Sequence, residues 1–148
     1  MHKRYTAVLT AAAVLLLAAS LCLLIYFNPF VEKIYTPGDF GIDTVYSTVD
    51  FNGNGTDDYT DILLGARADA KNHPVYDPAY YDSGYPPDNI GVCADVVWRA
   101  FKQAGYSLRD MVDNDIIHRP EAYPKVIKRD NNIDFRRVRN LRIFFEKY

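Results

Sequence analysis

Residues 90–101, IGVCADVVWRAF, form the passage on which the fold turns. A glycine leads into a cysteine, and beyond it the apolar positions Val97, Trp98, Phe101 and Ala104 recur at helical spacing. The pattern predicts a helix over 94–103, with Gly105 placed to terminate it. Cys93 then stands directly in front of that helix. Unsatisfied backbone N–H groups and the helix dipole stabilise a thiolate at such a position, and the thiolate is the nucleophilic form. A buried cysteine behaving as a small hydrophobe fits a lone Cys as well.

Working outward, residues 72–89, NHPVYDPAYYDSGYPPDN, are crowded with Pro, Gly and Tyr and read as a loop. Loops of this length in a small domain usually form a functional surface. Tyr76, Tyr80, Tyr81 and Tyr85 either line a groove for sugar or peptide, or pack over the core with wet hydroxyls. Before the loop a helix is predicted over 59–72, with Ile62, Leu63, Ala66 and Ala70 on one face and an acidic start that suits the helix dipole. Further upstream, the β-branched residues of 41–49 allow a short extended segment. Downstream, Ser107 and Asp110 have capping spacing for a third helix. Val138, Leu141, Phe144 and Phe145 repeat at helical spacing in a last helix running to the terminus. The last quarter is basic, with Lys125, Lys128, Arg129, Arg137 and Arg142 among its charges. A solvated or internally paired face explains this, and contact with anionic wall polymer or lipid headgroups is the functional rival.

The segment DFNGNGTDDYTD, residues 50–61, carries a second kind of signal. Asp50, Asn52, Asn54, Gly55, Thr56, Asp58 and Asp61 occupy positions one, three, five, six, seven, nine and twelve of an EF-hand calcium loop. A hard cation needs converging oxygens, and glycine at position six permits the turn that brings them inward. The expected ligand set for calcium is Asp50, Asn52, Asn54, Thr56, Asp58 and Asp61. Asp61 is shorter than the usual bidentate Glu, which weakens or reshapes such a site. A metal-free Asn/Gly/Asp turn that caps the next helix accounts for the same residues. Asn54-Gly55-Thr56 is also a formal glycosylation triplet.

At the other end, TAVLTAAAVLLLAASLCLLIYF, from Thr6 to Phe27, contains no charged residue and follows His2, Lys3 and Arg4. A membrane span takes roughly 20 apolar residues, and flanking basic residues favour a cytoplasmic N-terminus. The expectation is a signal anchor over 1–27, a stalk over 28–41, and an extracytoplasmic domain over 42–148, giving a single-pass protein of the cell membrane. A cleaved signal peptide is the rival, since Ala18 and Ser20 imitate a cleavage pattern. Leu21 before Cys22 disfavours lipidation. The net charge of −2 offers no field for nucleic acid. Cys93 alone lies beyond the anchor, so a disulfide within the domain is excluded.

The string from Tyr76, YDPAYYDSGYPPDNIGVCADVVWRAF, followed by AYPK and NIDFRRVRNLRIFF, resembles the bacterial domain of unknown function 1287 family over about 57–148. That family is similar to NlpC-type, papain-like cysteine peptidases and amidases of the cell wall. The resemblance implies an α+β papain-like fold, with Cys93 as nucleophile on an amide or ester carbonyl and a downstream histidine as base. In such enzymes the base lies on an antiparallel strand after the cysteine helix. The residues to Tyr148 contain no such strand, so the chain is expected to hold mostly the helical half with long loops. His73 and His118 do not fall where the motif puts a base. The functional expectation is therefore an envelope thiol hydrolase acting on peptidoglycan amide bonds, incomplete in this chain. The alternative is a non-catalytic, calcium-stabilised binding or structural module at the envelope.

Overall fold

The computed structural model describes residues 2–26 and 35–148, with side chains described at 5, 12–26 and 35–148. The chain divides into two units, Met1–Thr44 and Val45–Tyr148. In the first, helix α1 spans His2–Tyr26, and a short 3₁₀ turn covers Pro37–Phe40. Asp39 fixes the start of that turn by accepting from the N–H and hydroxyl of Thr36, both at 2.8 Å. The expected transmembrane helix is corrected by this unit: among the described residues no helix is long and apolar enough to cross a membrane. Half of the expected stalk, residues 28–34, and the end of the apolar stretch at Phe27 lie outside the described residues.

The second unit is built on helices α2 (Asp58–Asn72), α3 (Asp95–Gln103), α4 (Leu108–His118) and α5 (Val138–Phe145). Two strands of two residues, β1 (Val75–Tyr76) and β2 (Ile90–Gly91), pair in parallel with Val75 opposite Ile90. The α+β papain-like expectation is corrected accordingly, since the described residues are mainly helical and this ladder is the whole of their sheet. The reason lies in how the loops satisfy their backbone. Between β1 and β2 the chain closes turns such as Gly84 N–H on Tyr81 C=O at 2.8 Å, rather than pairing strands. The β-branched stretch at 41–49 finds no partner strand, and Ile42 and Val45 stay exposed.

The core is a single cluster in which Trp98, Leu108, Val112, Ile116, Tyr123, Phe135, Leu141 and Phe144 are buried. It is closed by α3, α4, α5 and a 3₁₀ turn at Asp134–Arg136. Ser107 caps α4 through its hydroxyl, and Gly105 ends α3 with φ +87°, both as the sequence predicts. Helix α2 differs. Leu63 and Leu64 are exposed, and the packed face is Asp58, Asp61 and Gly65. Gly65 allows α2 to approach α3 closely: a Cβ there would lie 2.7 Å from Gln103 Cβ and 2.9 Å from Ala100 Cα. Gly65→Ala is therefore expected to destabilise by about 1–3 kcal/mol through forced separation of the helices. Its gain in helix propensity, about 1 kcal/mol, does not offset that cost. The urea unfolding midpoint measures the balance.

Candidate functional site

Cys93 sits in the turn of residues 92–94, between β2 and α3. The turn is fixed by Asp95, the first residue of α3, which is wholly buried. Its Oδ2 accepts from Val92 N–H at 2.7 Å, and its Oδ1 accepts from Trp98 Nε1 at 2.9 Å. Arg136 completes the arrangement bidentately, Nε to Oδ1 at 2.7 Å and NH2 to Oδ2 at 2.9 Å. Gly91 is required by this approach, because a Cβ there would meet Asp95 Oδ2 at 2.8 Å. Burial alone would raise the Asp95 carboxyl. The hydrogen bonds from Arg136, Val92 and Trp98 outweigh it and hold the group below its ordinary value.

Arg136 reaches a third segment as well. Its guanidinium lies 5.5 Å from the centre of the Tyr81 ring, and NH1 donates to Ala79 C=O at 3.4 Å. The Tyr81 hydroxyl donates to Asp77 at 3.1 Å, while Asp77 N–H donates to Gly91 C=O at 2.9 Å. The segments YDPAYY, GVCAD and NIDFRR thus meet around one carboxylate. Cys93 itself is exposed, on a shallow depression of about 280 Å³ lined also by Asp69, Pro74, Tyr76 and Val96. Asp69 is held by Arg99 NH1 at 2.8 Å. Neither histidine lines the depression: His73 caps the C-terminus of α2 with φ 49°, and His118 ends α4 with Nδ1 2.7 Å from Asn114 C=O.

The acidic loop folds inward on its own side chains. Asp50 accepts from Asn54 N–H and Gly55 N–H, Asn52 Oδ1 from Asn54 N–H, and Asn54 Oδ1 from Thr56 N–H. Gly55 takes φ +88°, the turn that position six needs. Asn52 Nδ2 and Asn54 Nδ2 both donate to Asp61 Oδ2, at 2.9 and 2.8 Å. The structure therefore brings Asp50, Asn52, Asn54 and Asp61 together. Asp58 is engaged elsewhere, Oδ1 with Phe51 N–H at 2.8 Å and Oδ2 with the Tyr106 hydroxyl at 2.5 Å. The bond to Asp58, with burial adding to it, pushes the Tyr106 hydroxyl up to about 12. Among the described residues no three His, Cys, Asp or Glu side chains group as metal ligands.

Sequence reading missed the buried acids. Asp95 and Arg136 were visible only as charges inside apolar strings. Asp115 is a second hub, accepting from Arg119, Tyr123, Lys147 and Tyr148. The Arg119 hydrogen bond, opposed by burial and aided by Tyr123 and Lys147, depresses its carboxyl strongly. The basic end is largely paired internally: Arg129 with Asp113, Arg137 with Asp134, and Arg142 with Glu146.

Because Asp95 and Asp115 titrate lower folded than unfolded, the stability they contribute is complete above about 3.8 and is lost as pH falls through their folded values. The urea midpoint is expected to hold from pH 7 to 5 and drop below about 4. Arg136→Met should cost about 3–5 kcal/mol at pH 7 by leaving Asp95 charged and uncompensated. Its deficit against the unsubstituted protein should shrink in acid, where Asp95 becomes neutral.

Compared with known proteins, residues 63–148 match the family model "Domain of unknown function (DUF1287)". The chain is 38% identical over 94 residues to "Uncharacterized protein YijF" of Escherichia coli (strain K12), an overlap covering 59% of this chain and 46% of that protein. The chain thus matches about half the length of that relative. No solved structure matches. The match spans α3, α4, α5 and all three segments around Asp95, and the chain belongs to the DUF1287 family.

Proposed function

We propose that this protein is a cysteine-dependent hydrolase of the cell envelope, of the NlpC type, with peptidoglycan amide bonds as its substrate class. The observation that carries the reading is that three family segments converge on Asp95 and Arg136 to hold one turn, and that turn presents an exposed thiol. In the reaction Cys93 Sγ bonds to the amide carbonyl carbon, the amine leaves with a proton, and water then cleaves the thioester to acid and free thiol. The side chains lining the depression with Cys93 include neither His73 nor His118. Iodoacetamide labelling at pH 7 tests the nucleophile. Cys93 should react at least about ten-fold faster in the folded protein than in urea. Asp95→Asn should remove most of that difference, and equal folded and unfolded rates would overturn the reading.

A second reading is favoured by the acidic loop: calcium held by Asp50, Asn52, Asn54 and Asp61. Both carboxamides already point at Asp61, and turning each over exchanges its N–H donors for a ligand oxygen. Addition of calcium is then expected to raise the melting temperature, with the rise abolished in Asp50→Ala and in Asp61→Ala. A melt unchanged by calcium counts against the site.

A further inference from the structure

A groove that adjoins the thiol depression at Asp69 runs along α3 and does not include Cys93. Two hollows of about 490 and 340 Å³ share Asp88, Trp98 and Lys102 in their walls, volumes within the range that holds small organic ligands. The floor is rigid. Trp98 is 4% exposed and anchored to Asp95 through Nε1. Arg99 is tied to Asp69 and to the carbonyls of Pro87 and Ile90, leaving its Nε as the buried side-chain atom without a partner among the described residues.

Two charges on the walls are not tied. Lys102 and Asp88 are both exposed, and among the described residues neither side chain has an ion pair or hydrogen bond. Lys102 has only the Trp98 ring, at 6.0 Å. Arg99 in the same wall, by contrast, meets the Asp69 carboxylate. Opposite charges that face one groove without neutralising each other are complementary to a ligand that is itself dipolar. Sugar stacking on Trp98 is disfavoured, because the indole is buried and the Arg99 guanidinium lies over it, 5.1 Å from its centre.

We infer that this groove binds a short peptide with free ends, its carboxylate on Lys102, its ammonium on Asp88, and an apolar side chain against Tyr85 and Tyr106. The site requires no chemistry at Cys93. Trp98 is the sole tryptophan, so its emission reports occupancy directly. The full chain is titrated with Ala-Leu-Ala, with its N-acetyl form and with its C-terminal amide. A saturable change is expected with the free tripeptide, and about five-fold weaker binding when either end is blocked. Lys102→Glu should erase the dependence on the carboxylate, Asp88→Asn the dependence on the amine, and Cys93→Ser should change neither. Both substituted side chains are exposed, and a thermal melt confirms that each variant is folded. No saturable change up to about 10 mM overturns the proposal. So does equal binding of free and blocked peptides, or full affinity in both charge variants.

Discussion

The buried pair of Asp95 and Arg136 is the constraint on which the second unit depends. The two residues are 41 apart in sequence, and their side chains are 0% and 2% exposed. Removing both charges from water costs several kcal/mol per ion, which attraction repays only with good geometry and further hydrogen bonds. Those conditions are met, since Asp95 accepts four hydrogen bonds and Arg136 adds a carbonyl and an aromatic ring. The pair contributes position more than net stability. An apolar substitute could fill the space without fixing the turn, the indole and the long loop in one register.

The same logic governs the other polar groups inside the unit. Asp115 ties the end of α4 to the chain terminus through Arg119, Lys147 and Tyr148. Asp58 ties the start of α2 to Tyr106. The Tyr106 ring in turn stacks on Phe51 at 4.3 Å, and Asn52 Nδ2 donates to Gln103 C=O at 3.0 Å. The acidic loop is thereby fastened to the turn between α3 and α4. A small helical unit with only a two-residue ladder has few backbone bonds between its elements, and these carboxylates supply the long-range connections.

This division explains what the sequence made legible. Helix positions were readable, because apolar spacing, the start signal at Ser107 and the stop at Gly105 act locally. The buried face of α2 was not. Its packed positions are Asp58, Asp61 and Gly65, which a hydrophobic pattern scores as surface, while Leu63 and Leu64 remain exposed. The β-branched run at 41–49 showed strand propensity without a partner to pair with, and propensity alone forms no sheet. For the site, the cysteine turn and the acidic loop were legible as local motifs. The groove over Trp98 was not, since it joins residues from three elements whose approach is set by Gly65 and by Arg99.

Asp95 also changes the meaning of a cysteine in front of a helix. The sequence alone gives the positive end of α3 to the thiol, but the first-turn carboxylate sits there and takes the N–H of Val92. An uncompensated carboxylate beside Cys93 would oppose a thiolate by like-charge repulsion. Arg136 removes that opposition by neutralising Asp95 through two charge-assisted hydrogen bonds. The backbone geometry that Asp95 imposes is kept, and its charge is balanced by Arg136. A turn built by an acid yet electrically neutral is compatible with a nucleophilic thiol, and Arg136 is the residue on which that compatibility rests.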